Sequence, residues 1–212
     1  MSVDVAWAKA WITSTARVLA DHRAELNTLD REIGDGDHGE NLDRGFQAVL
    51  PKLGDPTAAG TPAEVLKTLA STLISTVGGA AGPLYGTAYL KAAGAVSGAA
   101  ELDSAGVVAL LTAARDGIVL RGKAELGDKT MIDAWTPAVD AAVEANAAGA
   151  APEQVLAAAA DAAEAGAVAT EPLVARKGRA SYLGERAIGH RDPGAQSSAL
   201  ILRCAADAAV QN

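Results

Sequence analysis

The sequence predicts an all-α fold, and three observations predict it. Alanine is abundant while aromatic residues make up only 3% of the chain, and Ala is the best helix former. Apolar residues recur at three- and four-residue steps, the spacing of one helix face. Nowhere do Val, Ile, Thr and aromatic residues alternate in runs bounded by turns, so no strand is expected. With 212 residues, half of them apolar, the chain can bury a sizeable core, and residues 1–212 read as one domain.

The first segment carries Trp7, Trp11 and Val18 on one stripe. A second helix is expected near 40–52. The start of the next is well marked: Thr61-Pro62-Ala63-Glu64 supplies an N-cap, Pro at N1 and Glu at N3, a capping box. Behind it Val65, Leu66, Leu69, Ala70, Leu73, Ile74 and Val77 line one face. Further helices are expected near 80–98, 104–120, 129–147, 153–168 and 195–210. The Ala/Glu/Asp stretch 141–168 is simple in composition but helical in pattern. Asp192-Pro193 again places an N-cap before a Pro at N1 for the last helix. About eight helices with short connections imply a bundle or a barrel. Four loops interrupt them, 27–39, 77–86, 121–131 and 175–194, all rich in glycine and, apart from 77–86, in charge, and no internal repeat is visible.

The charge balance, 18 Lys and Arg against 26 Asp and Glu, argues against nucleic-acid binding, which calls for a basic face. Cys204 is the single cysteine, so no internal disulfide can form and a cytoplasmic location is the simplest reading. Residues 68–90 hold no charge and are long enough to span a bilayer. Their glycines, Pro83 and six Ser or Thr residues are too polar and too broken for a lipid-facing helix, so no membrane is expected. Asp4 and Lys9 near the start, with no apolar run around them, give no signal peptide.

The loop "GDGDHGEN", residues 34–41, matches G-x-G-x-x-G but carries two aspartates where an anion would sit, and no strand precedes it, so a dinucleotide site fails. An EF-hand fails as well, because Phe46 stands where its closing Glu belongs. Asp30, Asp35 and Asp37 lie within eight residues. Three carboxylates that close repel one another, and a hard cation such as Mg²⁺, which shares carboxylates with waters and phosphates, compensates them. Asp and Gly also make ordinary solvated turns. His38 suits either a phosphate contact or a polar turn, and Asn41 can share its ligand. In "VGGAAGPLYG", residues 77–86, small residues before a helix let an anion approach its N–H groups; read alone, close helix packing is the favoured explanation. "GIVLRGKA", 117–124, fails as a P-loop, since Ala124 replaces the Ser or Thr that holds Mg²⁺. Segment 175–194 sets five cations, Arg176, Lys177, Arg179, Arg186 and Arg191, against two carboxylates, Glu185 and Asp192. Arg recognises phosphate in bidentate fashion, so an anionic ligand is favoured over an idle basic surface.

Taken together, "LDREIGDGDHGENLDRGF", "VGGAAGPLYG", "RGKAELGDKTM" and "ARKGRASYLGERAIGHRDPG" closely resemble the nucleotide-binding L subunits of dihydroxyacetone kinases, in order and from about residue 29 to 195. The resemblance implies a barrel of eight antiparallel helices whose loops at one end hold ADP or ATP with two Mg²⁺. It implies metal ligands at Asp30, Asp35 and Asp37, and phosphates near His38, Gly39, Glu40 and Asn41. Further nucleotide contacts are implied at Ala80, Ala81, Gly122, Met131, Arg179, Asp192, Pro193 and Gly194, with Arg179 and the three aspartates serving catalysis. Relatives often carry Ser where Ala81 stands. The implied activity passes a phosphoryl group through bound ADP, from a phosphocarrier M subunit of the phosphotransferase system to dihydroxyacetone on a K subunit. Contact with a transcription regulator is a further implication. Two alternatives stay open: a kinase for another small ketose, and a non-catalytic nucleotide sensor.

Overall fold

A computed structural model describes residues 3–54 and 60–211. The described residues are mostly helical, with α1 Val5–Asp21, α2 Arg23–Ile33, α3 His38–Gln47, α4 Leu50–Leu53, α5 Pro62–Thr76, α6 Ala81–Ala95, α7 Ser104–Gly122, α8 Ile132–Ala147, α9 Pro152–Ala169 and α10 Pro193–Gln211. A 3₁₀ segment covers Arg179–Ala187.

Several expectations need correction. There is a strand pair after all: β1, Val3–Asp4, and β2, Glu101–Leu102, form a two-residue antiparallel ladder with Val3 opposite Leu102. Two residues a side are too few for a period-2 pattern to register. The described helices also outnumber eight. The first segment breaks at His22, the second segment splits into α3 and the single turn of α4, and α2 runs to Ile33 through the start of the expected loop 27–39. Helix α6 starts at Ala81, inside the expected loop 77–86, so the glycines at 82 and 86 are helical and serve packing. Helix α8 begins at Ile132, three residues later than expected.

Capping follows the sequence closely. The Thr61 hydroxyl accepts the Glu64 N–H at 3.3 Å, and the Glu64 carboxylate accepts the Thr61 N–H at 3.0 Å. The Asp192 carboxylate accepts the Ala195 N–H at 2.8 Å at the head of α10. On α5 the apolar stripe is buried except at Ile74, which is about half exposed.

One continuous core runs from Val3 to Ala209. Successive helices α5 to α10 pack on their neighbours, α10 returns to α1, and α1 meets α3 and α5. Indoles fix the return. Trp7 and Trp11 donate from α1 to the carbonyls of Ala205 and Ile201 on α10, each at 2.9 Å, and Trp135 donates from α8 to the Ser198 hydroxyl at 3.1 Å. Burying these rings gives each N–H a fixed partner, as a buried indole needs. No helix among the described residues is long and apolar enough to cross a membrane.

Candidate functional site

The α2–α3, α5–α6, α7–α8 and α9–α10 connections line one cavity of about 220 Å³. They are the four glycine-rich segments of the sequence, three of them also rich in charge. The cavity shows why they are loops. Each carries groups facing a common hollow instead of a core.

The acidic loop is the first wall. Gly36 at φ +81° turns the chain where a side chain would be strained. The turn folds the loop over the end of α2, so one Asp30 oxygen accepts the N–H groups of Asp37 at 2.9 Å and His38 at 3.2 Å. One oxygen from each of Asp30, Asp35 and Asp37 lies within 4.8 Å of the others. Asp30 is buried, and Asp35 and Asp37 are exposed. Burial pushes the Asp30 carboxyl up, the two N–H donors pull it down, and the Asp35 charge pushes it up again. Three anionic oxygens facing one space, one of them raised by burial, are the hard donor set that suits Mg²⁺.

His38 opens α3 rather than lying in the loop. Its Nε2 meets the Ser197 hydroxyl at 2.9 Å, and that hydroxyl meets the Tyr85 hydroxyl at 2.8 Å. Burial holds the imidazole down to about 4, against the pull of Asp37 and Asp35. It stands neutral and oriented at the cavity wall at neutral pH. Asn41, also buried, accepts from Arg44, whose Nε reaches the Thr76 carbonyl at 3.1 Å at the end of α5.

The opposite wall comes from segment 170–194. The Arg179 guanidinium reaches across to Asp35 at 2.7 Å. Arg191 has a structural use: it grips Glu171 at 2.8 Å and Gln196 at 2.9 Å. Asp192 lies against the cavity with Pro193 and Gly194. Burial raises its carboxyl to about 7; the Ala195 N–H opposes the rise, Asp133 adds to it, Lys129 opposes it and Asp30 adds to it. Much of the rest of the lining is small or apolar, with Ala80, Ala81, Leu84 and Met131 among it, and Lys129, Thr130 and Lys177 add polar groups.

Of the residues singled out from sequence, Asp30, Asp35, Asp37, His38, Asn41, Ala80, Ala81, Met131, Arg179, Asp192, Pro193 and Gly194 all line this cavity. Gly39, Glu40 and Gly122 do not. Gly39 is buried where a Cβ would collide with the Arg23 carbonyl, so it lets α3 approach α2. The exposed Glu40 is held through its N–H by the Asn27 amide oxygen at 3.0 Å. Gly122 ends α7 on the surface. Sequence reading missed Lys129 and Thr130 on the lining and the Tyr85 and Ser197 hydroxyls behind His38. Lys129 sits in the glycine-bounded "GDKTM", but a lysine is so rarely buried that its type argues for solvent.

A family model described as the DAK2 domain matches residues 32–207. The chain is 43% identical over 200 residues to the PEP-dependent dihydroxyacetone kinase ADP-binding subunit DhaL of Escherichia coli (strain K12), covering 94% of both chains. It is 41% identical over 201 residues to the corresponding DhaL of kinase 1 of Listeria innocua, covering 95% of both. The fold is similar to the crystal structure of the dihydroxyacetone kinase from C. freundii in complex with AMP-PNP and Mg²⁺, with a TM-score of 0.71 and 29% identity; the match covers 96% of this chain and 33% of that one. With most of its length inside the family model and its resemblance to DhaL subunits running nearly end to end, the chain belongs to the DAK2 domain family and is of DhaL type.

Proposed function

We propose that the protein is the nucleotide-holding L subunit of a dihydroxyacetone kinase, a phosphotransferase with an alcohol acceptor. Residues 1–212 form one DhaL-type domain in this reading, a barrel of eight antiparallel main helices with the nucleotide at one end. The order of helix neighbours, closing from α10 back to α1, supports that arrangement. A K subunit presents dihydroxyacetone, a phosphocarrier M subunit supplies the phosphoryl group, and the proteins meet in the cytoplasm. A transcription regulator is a further partner in this reading.

The observation that carries the proposal is the pairing of three gathered carboxylates with Arg179 across one small cavity. Asp30, Asp35 and Asp37 would hold two Mg²⁺. When bound, Mg²⁺ neutralises phosphate charge and ADP carries the phosphoryl group between donor and acceptor. This chain's own residues position and compensate, which is most of what phosphoryl transfer asks of a protein. The Asp37 and His38 N–H groups hold the Asp30 carboxylate in one orientation. Arg179 offers a guanidinium fork to phosphate oxygens. Neutral His38, fixed by Ser197, and Asn41 in the first turn of α3 present polar side chains to the phosphates, while Gly39 and Glu40 hold that turn against α2 from outside the cavity. Ala80, Ala81 and Met131 offer the nucleotide a small, mostly apolar wall. Asp192, Pro193 and Gly194 close the cavity floor.

Reconstitution tests this. The purified protein is mixed with a K subunit, dihydroxyacetone and either phosphorylated M subunit or free ATP. Dihydroxyacetone phosphate should form with the M subunit and not with ATP. Asp35→Ala should lose Mg²⁺-dependent ADP retention while keeping its helical circular dichroism. No product with either donor, or ADP binding that ignores removal of divalent ions, overturns the reading.

A further inference from the structure

Lys129 is the unexplained group at this site. Its side chain is 1% exposed, and lysine is almost never fully buried without partners. Its ammonium has three N–H donors, and three backbone carbonyls accept from it: Ala187 at 2.6 Å, Leu173 at 3.1 Å and Glu171 at 3.3 Å. Glu171 and Leu173 lie directly after α9, and Ala187 is the last residue of the 3₁₀ segment. One cation therefore pins both ends of a single loop. Arg179 lies between those ends and reaches Asp35 across the cavity.

Local backbone drives the lysine inward. Lys129 has φ +62°, an uncommon value for a residue other than Gly, Asn or Asp. The Asp133 carboxylate holds both flanks, accepting the Gly127 N–H at 2.6 Å and the Thr130 N–H at 2.8 Å. Strain of this kind persists where its surroundings over-determine it, and it clusters at functional sites. Few other backbone ties reach the loop. The Gly189 N–H donates to the Glu171 carbonyl at 2.8 Å, and the Arg176 N–H to the Asp128 carbonyl at 3.0 Å.

We propose that Lys129 is a positioning residue for the nucleotide site: its ammonium clamps the two ends of segment 171–187 and so sets where Arg179 stands relative to the acidic loop. It acts through Arg179. An apolar side chain would fill the same space without satisfying three carbonyls. A flexible surface loop would carry Arg179 without fixing it. The clamp makes the arginine loop a rigid wall of the cavity, and rigid placement is what electrostatic stabilisation of a phosphoryl group requires.

The part of the test that uses ADP rests on the nucleotide reading above; the part that uses hydrogen exchange does not. In ligand-free full-length protein, Lys129→Met should lose amide protection within 171–189 and keep it in α1 and α5–α10. Mg²⁺·ADP affinity should fall about tenfold in Lys129→Met and about tenfold in Arg179→Ala, the loss of one charge-assisted contact. The double variant should bind within about twofold of Arg179→Ala alone, since coupled residues are not additive. Unchanged exchange in 171–189, or losses that multiply in the double variant, overturns the proposal. Failure of the unsubstituted protein to bind Mg²⁺·ADP would remove the nucleotide reading, and the exchange result alone would then decide the clamp. If Lys129→Met does not fold, Lys129→Gln keeps part of the donor set and should show a smaller loss confined to the same segment; no loss there overturns the clamp equally.

Discussion

Asp192 combines two duties that pull its charge in opposite directions. As the cap of α10 it accepts the Ala195 N–H at 2.8 Å, a role that favours the anion. As a cavity residue it is raised by burial from 3.8 to about 7. Because the folded value lies above the unfolded one, folding takes up a proton between about pH 4 and 7. The contribution of this group is most favourable at the acid end and is lost as pH rises through that window, with a slope of at most about 1.4 kcal/mol per pH unit. Asp192→Asn keeps a capping oxygen and has no charge to lose. Urea melts of the ligand-free protein should show the variant gaining stability relative to the parent as pH rises from about 4 to 7, with no further gain above that. A constant difference across the range would refute this assignment. The residue was legible in sequence as a cap because Asp-Pro is a local signal. Its neighbours Asp133, Lys129 and Asp30 arrive from other elements and were not.

Small residues decide how closely the helices approach. Gly166 lies within α9 where a Cβ would collide with the Asp133 carbonyl and press on Pro137 of α8. Backbone cannot yield as a flexible side chain can. Gly166→Ala should therefore cost about 1–3 kcal/mol by overpacking, although Ala is the better helix former. Thermal unfolding followed by circular dichroism measures it; a gain in stability would mean that α8 and α9 are not so close. Such an approach also matters for the site, because α8 and α9 deliver Lys129 and Glu171 to the same wall. At this scale the sequence was uneven. Caps and apolar faces foretold α5 and α10 well, because capping chemistry is confined to a few adjacent residues. The break at His22 escaped, since no Pro marks it and Glu25, Leu26 and Leu29 continue a helical pattern; that same pattern, closed by Gly34, carries α2 to Ile33 through residues expected as loop.

Across the molecule, one core links α1 to α10, and we propose that the whole chain unfolds as a unit. Trp7 and Trp11 report from α1 and Trp135 from α8. Tryptophan fluorescence and far-ultraviolet circular dichroism should give coincident urea midpoints, as two-state unfolding requires. Separate midpoints would divide the chain into independent units. What the sequence determined by itself was what short-range chemistry can encode: helical class, capped starts, the clustered aspartates and the four loops with ligand-binding composition. Tertiary structure alone decided which of those loop residues face one another. It turned Gly39 into a packing residue, tied His38 to Ser197 over 159 positions of chain, and buried Lys129 under carbonyls from 42 to 58 residues away. Those outcomes depend on contacts between distant segments, for which residue type and spacing carry no local mark.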